Sequence, residues 1–172
     1  MTMGFVMTTR AWLLIAGAGS AAILASALGS QFIGGLSPCP LCIWQRWPHV
    51  AAVVIAVLAA SVLWRQARPL AALGMLGMLV GAGLGFYHTG IERGWWEGPD
   101  TCTSTDITDL STDELMAHIL NAPLIRCDEV QWDLLGLSMA SWNAVISLGL
   151  AALWLASAVR GPSSYDSNSA SQ

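Results

Sequence analysis

The chain has 172 residues, of which 55% are hydrophobic and only 10% are charged. It contains no lysine, and ten of its eleven acidic residues fall between Glu92 and Asp133, so the net charge of −4 describes one segment rather than the whole molecule. This composition is too apolar for an ordinary soluble domain. It also excludes a nucleic-acid partner, which would need a basic face.

Four apolar segments are long enough to cross a bilayer as helices, which takes roughly 17–25 residues each. They run from about 11 to 33, 42 to 64, 70 to 87 and 142 to 159. We therefore predict an all-α membrane protein, a single membrane domain over residues 1–172 built as a four-transmembrane-helix bundle. In the third segment Gly77, Gly81 and Gly85 recur every four residues, which predicts a face of small residues where a neighbouring helix approaches closely.

The arginines predict the orientation of these segments. Arg10 precedes the first segment, Arg65 and Arg68 link the second to the third, and Arg160 closes the fourth. By the positive-inside rule these ends are cytoplasmic, so both termini lie inside and the cysteine-bearing segments 34–41 and 90–141 lie outside. The first segment also loosely fits a cleaved signal peptide, but its apolar run exceeds the usual core of about 7–15 residues. We interpret it as a retained span.

The segment 90–141 is the only sizeable polar part of the chain, and we expect it to be mobile and partly helical. Ser111 to Glu114 has the form of a helix capping box, which predicts a short helix that ends before Pro123. The serine-rich tail, about 161–172, is predicted to be disordered.

Four cysteines form two sets, Cys39 with Cys42 at the start of the second span and Cys102 with Cys127 in the long outer segment. A structural zinc site needs two close pairs, and only the first set has that spacing, so we predict no metal site. Inert structural disulfides would suit Cys102 and Cys127 in an oxidising compartment. They would suit Cys39 and Cys42 poorly, because closing so short a loop removes little unfolded-state entropy. A redox role explains more of the pattern.

Arg46 strengthens the redox interpretation. We expect Cys42 to begin a helix, where backbone N–H groups and the helix dipole favour a thiolate. Arg46 follows four residues later on the same face, and His49 returns to that face after another turn. An arginine this close to a bilayer is costly unless it has such a role, although it can also extend toward the headgroups.

These residues carry a resemblance to a known family. The stretch PCPLCIWQR at 38–46 resembles the P-C-x-L-C-x-x-x-R signature of the DsbB family, bacterial inner-membrane disulfide-bond formation proteins. Cys127, the stretch QWDLLGLSM at 131–139 and Trp142 are similar to that family's C-x3-QWDxLGLxMxxW region. Four spans and four cysteines in this order extend the resemblance over nearly the whole chain, although the segment between Cys102 and Cys127 departs in detail.

The resemblance implies an enzyme, a protein-disulfide:quinone oxidoreductase of the bacterial inner membrane. It would reoxidise a periplasmic DsbA-like thiol oxidase and pass the electrons to ubiquinone or menaquinone, and so to the respiratory chain. By the same resemblance the redox-active disulfides are Cys39–Cys42 and Cys102–Cys127, and the reduced partner attacks the second of these and forms a mixed disulfide with Cys102.

The resemblance also implies how a quinone is held. Cys42 is the thiolate that engages it, and Arg46 supports that thiolate by charge and hydrogen bonding. His88 occupies a position near the quinone, although an ordinary place at the interfacial end of a helix explains a lone histidine equally well.

Two other functions remain open from the sequence. A quinone reductase of the vitamin K epoxide reductase type is also a membrane bundle with two cysteine pairs, but its quinone-facing CxxC lies late in the chain. A non-catalytic tetraspan metal-binding or scaffold protein would bind zinc and consume no quinone.

Overall fold

The computed structural model describes residues 8–99, 111, 113, 116, 120 and 126–160. Cys102 and the tail from residue 161 lie outside the described residues, and so does most of the segment with the capping box. The predicted all-α fold is confirmed, because four helices are long and apolar enough to cross a membrane. In chain order the elements are α1 (Thr9–Phe32), α2 (Pro40–Ala60), a short 3-10 helix (Trp64–Gln66), α3 (Ala67–Glu92), β1 (Asp133–Leu134), β2 (Leu137–Ser138) and α4 (Met139–Arg160).

Helix α2 begins at Pro40, two residues before the predicted start at Cys42. Cys39 is its N-cap residue, and the Cys39 sulfur accepts a hydrogen bond from the Cys42 backbone N–H at 3.2 Å. Proline suits the first helical position because its missing N–H would have no partner there. The cap therefore belongs to Cys39, and Cys42 lies within the first turn.

Helix α3 continues to Glu92, beyond the predicted end near Tyr87. The last turn is polar, and hydropathy alone therefore assigns it to a loop. It stays helical inside the bundle because its polar groups find partners: the Thr89 hydroxyl donates to the Gly85 carbonyl at 2.9 Å and lies 3.0 Å from the Ser141 hydroxyl. This extension brings the end of α3 to the start of α2.

The helices pack in the order α1, α2, α3, α4 around the bundle, and α4 returns to α1. The buried core consists mostly of alanines, with the larger Leu13, Met78 and Trp154 fully enclosed. Large apolar side chains instead face outward, and Val57, Leu76 and Leu148 are each more than half exposed. This distribution is typical of membrane bundles, in which small residues let helix backbones approach and lipid covers the large ones.

The glycine repeat of α3 makes the predicted close contacts at two of its three positions. A Cβ at Gly85 would lie 2.9 Å from the Ala140 carbonyl oxygen and the Ala144 nitrogen, and a Cβ at Gly81 would lie 3.3 Å from Pro48. The prediction is confirmed for these two glycines and wrong for Gly77, where a Cβ would meet nothing within 4 Å among the described residues.

A two-stranded hairpin precedes α4. Asp133 pairs with Ser138 and Leu134 with Leu137, so Leu135 and Gly136 form a two-residue turn with φ of 56° and 75°. Positive φ at both central residues is the hairpin turn that matches strand twist, and it is uncommon for a leucine. The hairpin brings Ser138 to the end of α3.

The close approach of α3 and α4 predicts the effect of substitutions at glycines. Gly85→Ala should lower the free energy of unfolding in detergent by about 1–3 kcal/mol, because the added methyl meets backbone atoms of α4 that cannot move aside. Gly83→Ala is the matched control in the same helix, where a Cβ meets nothing within 4 Å among the described residues. Equal stability of the two variants in a chemical unfolding titration would contradict this account of the packing.

Candidate redox site

Cys39 and Cys42 lie at the end of the bundle where α2 starts and α3 ends, with their sulfur atoms 2.9 Å apart. A disulfide bond needs about 2.05 Å, so a small movement joins them. Two thiolates that share a tetrahedral metal at about 2.3 Å would instead lie roughly 3.7 Å apart. Although the His88 ring lies within 4.8 Å of both sulfur atoms, the geometry favours formation of a sulfur–sulfur bond over a shared metal.

The negative charge of the reduced pair is stabilised best on Cys39. Its sulfur accepts the Cys42 backbone N–H at 3.2 Å and lies 2.9 Å from the Cys42 sulfur and 3.7 Å from His88 Nε2. These contacts, led by the Cys42 thiol, hold the pKa of Cys39 well below its usual range, although burial opposes them. The sequence places the thiolate on Cys42, whereas the N-cap geometry favours Cys39.

Cys127 comes from the long outer segment and lies next to the first pair. It is fully buried and packs in one cluster with Cys39, Leu41 and Ile91, against which Cys42 also rests. Its carbonyl oxygen is 3.2 Å from His88 Nε2. The structure thus brings together Cys39, Cys42 and Cys127, whereas Cys102 lies outside the described residues.

A chain of polar side chains extends from the cysteines into the bundle. Gln45 Nε2 lies 2.8 Å from His88 Nδ1, and Gln45 Oε1 accepts a hydrogen bond from Asn143 Nδ2 at 2.8 Å. Asn143 Oδ1 in turn lies 2.9 Å from His49 Nε2. These bonds connect α2 and α4 across the centre of the bundle. We name His88, Gln45, Asn143 and His49 the buried polar chain.

The sequence analysis missed Gln45 and Asn143. Their signal was present, because an uncharged polar residue within an apolar span is costly unless it finds a hydrogen-bond partner. Periodicity alone cannot name that partner when it lies on another helix. Both His88 and His49 are buried within this chain, so neither is an exposed interfacial residue.

Arg46 lies one turn below Cys42 and is fixed by α1. Its guanidinium donates to Gln31 Oε1 at 2.7 Å and to the Ala27 carbonyl at 3.4 Å. These two bonds use part of its fork of five N–H donors. A positive charge is therefore held inside the outer half of the bundle, close to the redox pair.

A cavity of about 630 Å³ joins these groups. Its walls include Cys39, Cys42, Arg46 and His88, and much of the remaining surface is apolar, from residues such as Leu24 and Ile146. Sites for small molecules are typically mostly apolar clefts of about 300–1,000 Å³ with a few placed polar groups. The cavity can accept a planar lipid-soluble ring whose oxygen atoms need donors.

The rim of the cavity is polar. Arg126 forms a two-bond ion pair with Asp128, at 2.9 and 2.5 Å, and lies 3.6 Å from Glu129. The Arg126 guanidinium holds the pKa of Asp128 below its usual range. Because Arg126 at the rim is paired with Asp128, Arg46 is, among the described residues, the cationic side chain in the cavity wall that has no acidic partner there.

Comparison with known proteins supports the same interpretation. The family model described as "Disulfide bond formation protein DsbB" matches residues 9–157. A protein named Disulfide bond formation protein B from Dechloromonas aromatica (strain RCB) is 31% identical over 156 residues, which cover 83% of this chain and 88% of that protein. Its namesake from Methylococcus capsulatus is 36% identical over 141 residues, covering 78% and 85% of the two chains.

A third relative of the same name, from Xanthomonas oryzae pv. oryzae, is 32% identical over 160 residues and covers 90% of this chain and 92% of its own. The resemblance predicted from the cysteine motifs is thereby confirmed, and it separates the chain from quinone reductases of the vitamin K epoxide reductase type. The chain belongs to the DsbB family and is a multi-pass inner-membrane protein of disulfide bond formation, a disulfide-forming oxidoreductase.

Proposed function

We propose that this protein reoxidises a periplasmic DsbA-like thiol oxidase and passes the electrons to membrane quinone, either ubiquinone or menaquinone, and so to the respiratory chain. One observation carries the proposal. The mostly apolar cavity has Cys39, Cys42 and Arg46 in its walls, and Cys127 lies in the same buried cluster as Cys39. A lipid-soluble electron acceptor and the thiols of the outer segment can therefore reach one cysteine pair from two sides.

The orientation in the membrane is part of the proposal. The Arg160 guanidinium lies 4.8 Å above the Trp12 ring, so the start of α1 and the end of α4 share one face of the bundle. The redox pair lies at the opposite face, at the start of α2. Arg10 and Arg160 on the first face support a cytoplasmic location for both termini and a periplasmic location for the cysteines.

Electron flow begins at the outer pair. A thiolate of the reduced partner attacks the Cys102–Cys127 disulfide at Cys102 and forms a mixed disulfide, the intermediate of every thiol–disulfide exchange. Cys127 leaves as a thiolate, which is then able to attack the Cys39–Cys42 disulfide. The packing of Cys127 against Cys39 supports this second exchange, which requires direct contact of the sulfur atoms.

The inner pair then gives up two electrons. A bound quinone would supply the two-electron acceptor. The cavity fits such a group, with Cys42 as the sulfur that engages it and Arg46 as the donor and positive charge beside it. The S–S bond would form as the pair gives its two electrons to that acceptor and Cys42 gives up its proton, which reduction of a quinone to a quinol would take up. His88 Nε2 faces the Cys39 sulfur at 3.7 Å.

The N-cap contacts of Cys39 predict its reactivity. In the reduced protein Cys39 should remain a thiolate well below pH 8.5, the ordinary thiol value of about 8.5 being lowered mainly by the Cys42 thiol. Cys42→Ala removes that donor and should raise the pH midpoint of Cys39 alkylation. Cys42→Ser keeps a donor and should leave the midpoint low. The measurement is the alkylation rate of the Cys39 peptide against pH by mass spectrometry; one midpoint shared by both variants would contradict the assignment.

The position of Arg46 predicts its effect on quinone affinity. Arg46→Ala should raise KM for a soluble quinone analogue by about tenfold or more, because a hydrogen bond to a charged group contributes about 1.5–3 kcal/mol. Arg46→Lys should recover part of the loss, since it keeps the charge without the planar fork. Arg93→Ala is the control, because Arg93 stacks over Trp95 and donates to the Gly136 carbonyl outside the cavity. An unchanged KM in Arg46→Ala would overturn the proposed role.

The order of exchange predicts which cysteine captures the partner. In Cys127→Ser the Cys102 thiol has no cysteine to pair with in the outer segment, so it should attack the disulfide of the oxidised DsbA-like partner and hold it as a mixed disulfide, a covalent complex that dissociates with reductant on a gel. Cys42→Ser should stop quinone reduction, followed by quinone absorbance, while the outer disulfide still accepts one round of electrons. Capture of the partner on Cys39 or Cys42 instead would reverse the proposed direction.

A further inference from the structure

Glu92, the last residue of α3, is a buried carboxyl group that the exchange steps above do not use. Its side chain is 7% exposed and lines the cavity. Its Oε2 atom accepts a hydrogen bond from the Ser138 hydroxyl, and its Oε1 atom is 4.0 Å from His88 Nε2. Ser138 therefore fixes one oxygen as an acceptor, and the other faces the cluster of His88 and Cys39.

His88 is poorly suited to take up a proton when the cysteines change state. The groups around its Nε2 atom are acceptors, namely the Cys127 carbonyl at 3.2 Å and the Cys39 sulfur at 3.7 Å, so the ring hydrogen lies on Nε2. Its Nδ1 atom meets the Gln45 amide nitrogen at 2.8 Å. Gln45 is held in this orientation because its oxygen is bonded to Asn143 and its nitrogen also reaches the Leu41 carbonyl. A second proton on the ring would point at an N–H₂ group.

The other charged groups around Glu92 do not compete for a proton. From α2, Arg46 is bonded to Gln31 of α1, and from α3 Arg93 donates to the Gly136 carbonyl, and a guanidinium has donors but no acceptor. From the segment after residue 125, Arg126 is paired with Asp128. Glu129 also lines the cavity, but its side chain is 65% exposed. Among the described residues that line the cavity, Glu92 is thus the buried carboxyl.

We propose that Glu92 binds a proton whenever the Cys39–Cys42 pair is reduced and releases it when the disulfide forms. Reduction breaks the S–S bond with two electrons from the outer thiols and leaves Cys39 as a thiolate and Cys42 as a thiol. One proton goes to Cys42, and a second goes to the Glu92 carboxylate. Oxidation reverses both transfers, with the two electrons leaving to the quinone of the proposed function, on which this inference rests.

The reason is electrostatic. A Cys39 thiolate and a Glu92 carboxylate would be two like charges in one buried site, which favours protonation of the carboxyl. The disulfide is neutral, so the carboxylate can then be ionised. With the proton on Glu92 the site carries one negative charge in either state, and two electrons pass without a change in buried charge.

The test is the number of protons taken up with the two electrons. The full-length protein, in lipid nanodiscs, is equilibrated anaerobically in dithiothreitol redox buffers of known potential across a pH series. Alkylation and mass spectrometry then give the reduced fraction of the Cys39–Cys42 peptide. In the pH interval where Glu92 changes state, the reduction equilibrium constant at fixed potential should fall hundredfold per pH unit in the wild type, for two protons.

Three variants complete the experiment. In Glu92→Gln the reduction equilibrium constant should fall only tenfold per pH unit, for one proton. Glu92→Asp keeps a carboxyl group and should retain the wild-type slope. Glu129→Gln, the exposed acid on the same cavity, should also match the wild type. Infrared difference spectra, reduced minus oxidised, should show the band of a protonated carboxyl group in the wild type and in Glu129→Gln but not in Glu92→Gln. Ser138→Ala, which removes the hydrogen bond to Glu92, should shift that band.

The outcomes separate this inference from the proposed function. A pair that cycles reversibly with the same slope in the wild type and in Glu92→Gln would overturn the role of Glu92 alone and would place any second proton on another group, such as His88. A Cys39–Cys42 pair that cannot be reduced and reoxidised at all would overturn the proposed function together with the inference.

Discussion

The cap that Cys39 forms on helix α2 is the interaction on which the rest of the site depends. The Cys39 sulfur caps the start of the helix by accepting the Cys42 backbone N–H, and it lies 2.9 Å from the Cys42 sulfur. The same contact fixes where α2 begins, and therefore the direction in which Arg46, one turn further, meets α1. Because the cap and the redox pair share an atom, a change in the oxidation state of the pair also changes the end of a transmembrane helix.

The bundle that supports this cap is packed by small residues in the half away from the cysteines and by polar contacts in the half that carries them. Away from the cysteines, alanines and glycines let the helices approach, as at Gly17 of α1 against Ala56 of α2. At the level of the cysteines the buried polar chain replaces this apolar packing and joins α2 to α4. The hydrogen bonds of this chain hold Gln45, Asn143 and His88 in one arrangement beneath the cysteines, although the buried Nδ1 atom of His49 has no hydrogen-bond partner among the described residues.

Long apolar runs and the two cysteine motifs were enough to predict the four helices and the family. The ends of the helices were harder to predict from the sequence, because the polar residues His88 and Thr89 look like a loop until their partners on α2 and α4 are known. Gln45 and Asn143 pose the same difficulty, since a hydrogen bond between residues 98 positions apart leaves no local pattern. The approach of Cys127 to Cys39 likewise depends on tertiary structure.

The buried polar chain also has a consequence for the energised membrane. It leads from the cysteines into the bundle through His88 to His49, and two histidines joined by titratable groups would form a path for protons through the bundle. Between them, however, stand the carboxamides of Gln45 and Asn143. A carboxamide gives up its hydrogens only at extreme pH. Its hydrogen bonds can therefore fix the orientation of neighbouring side chains but cannot transfer a proton between them. The two amides therefore interrupt proton transfer between His88 and His49, and protons exchanged at the cysteine end of the bundle do not cross an energised membrane by this route.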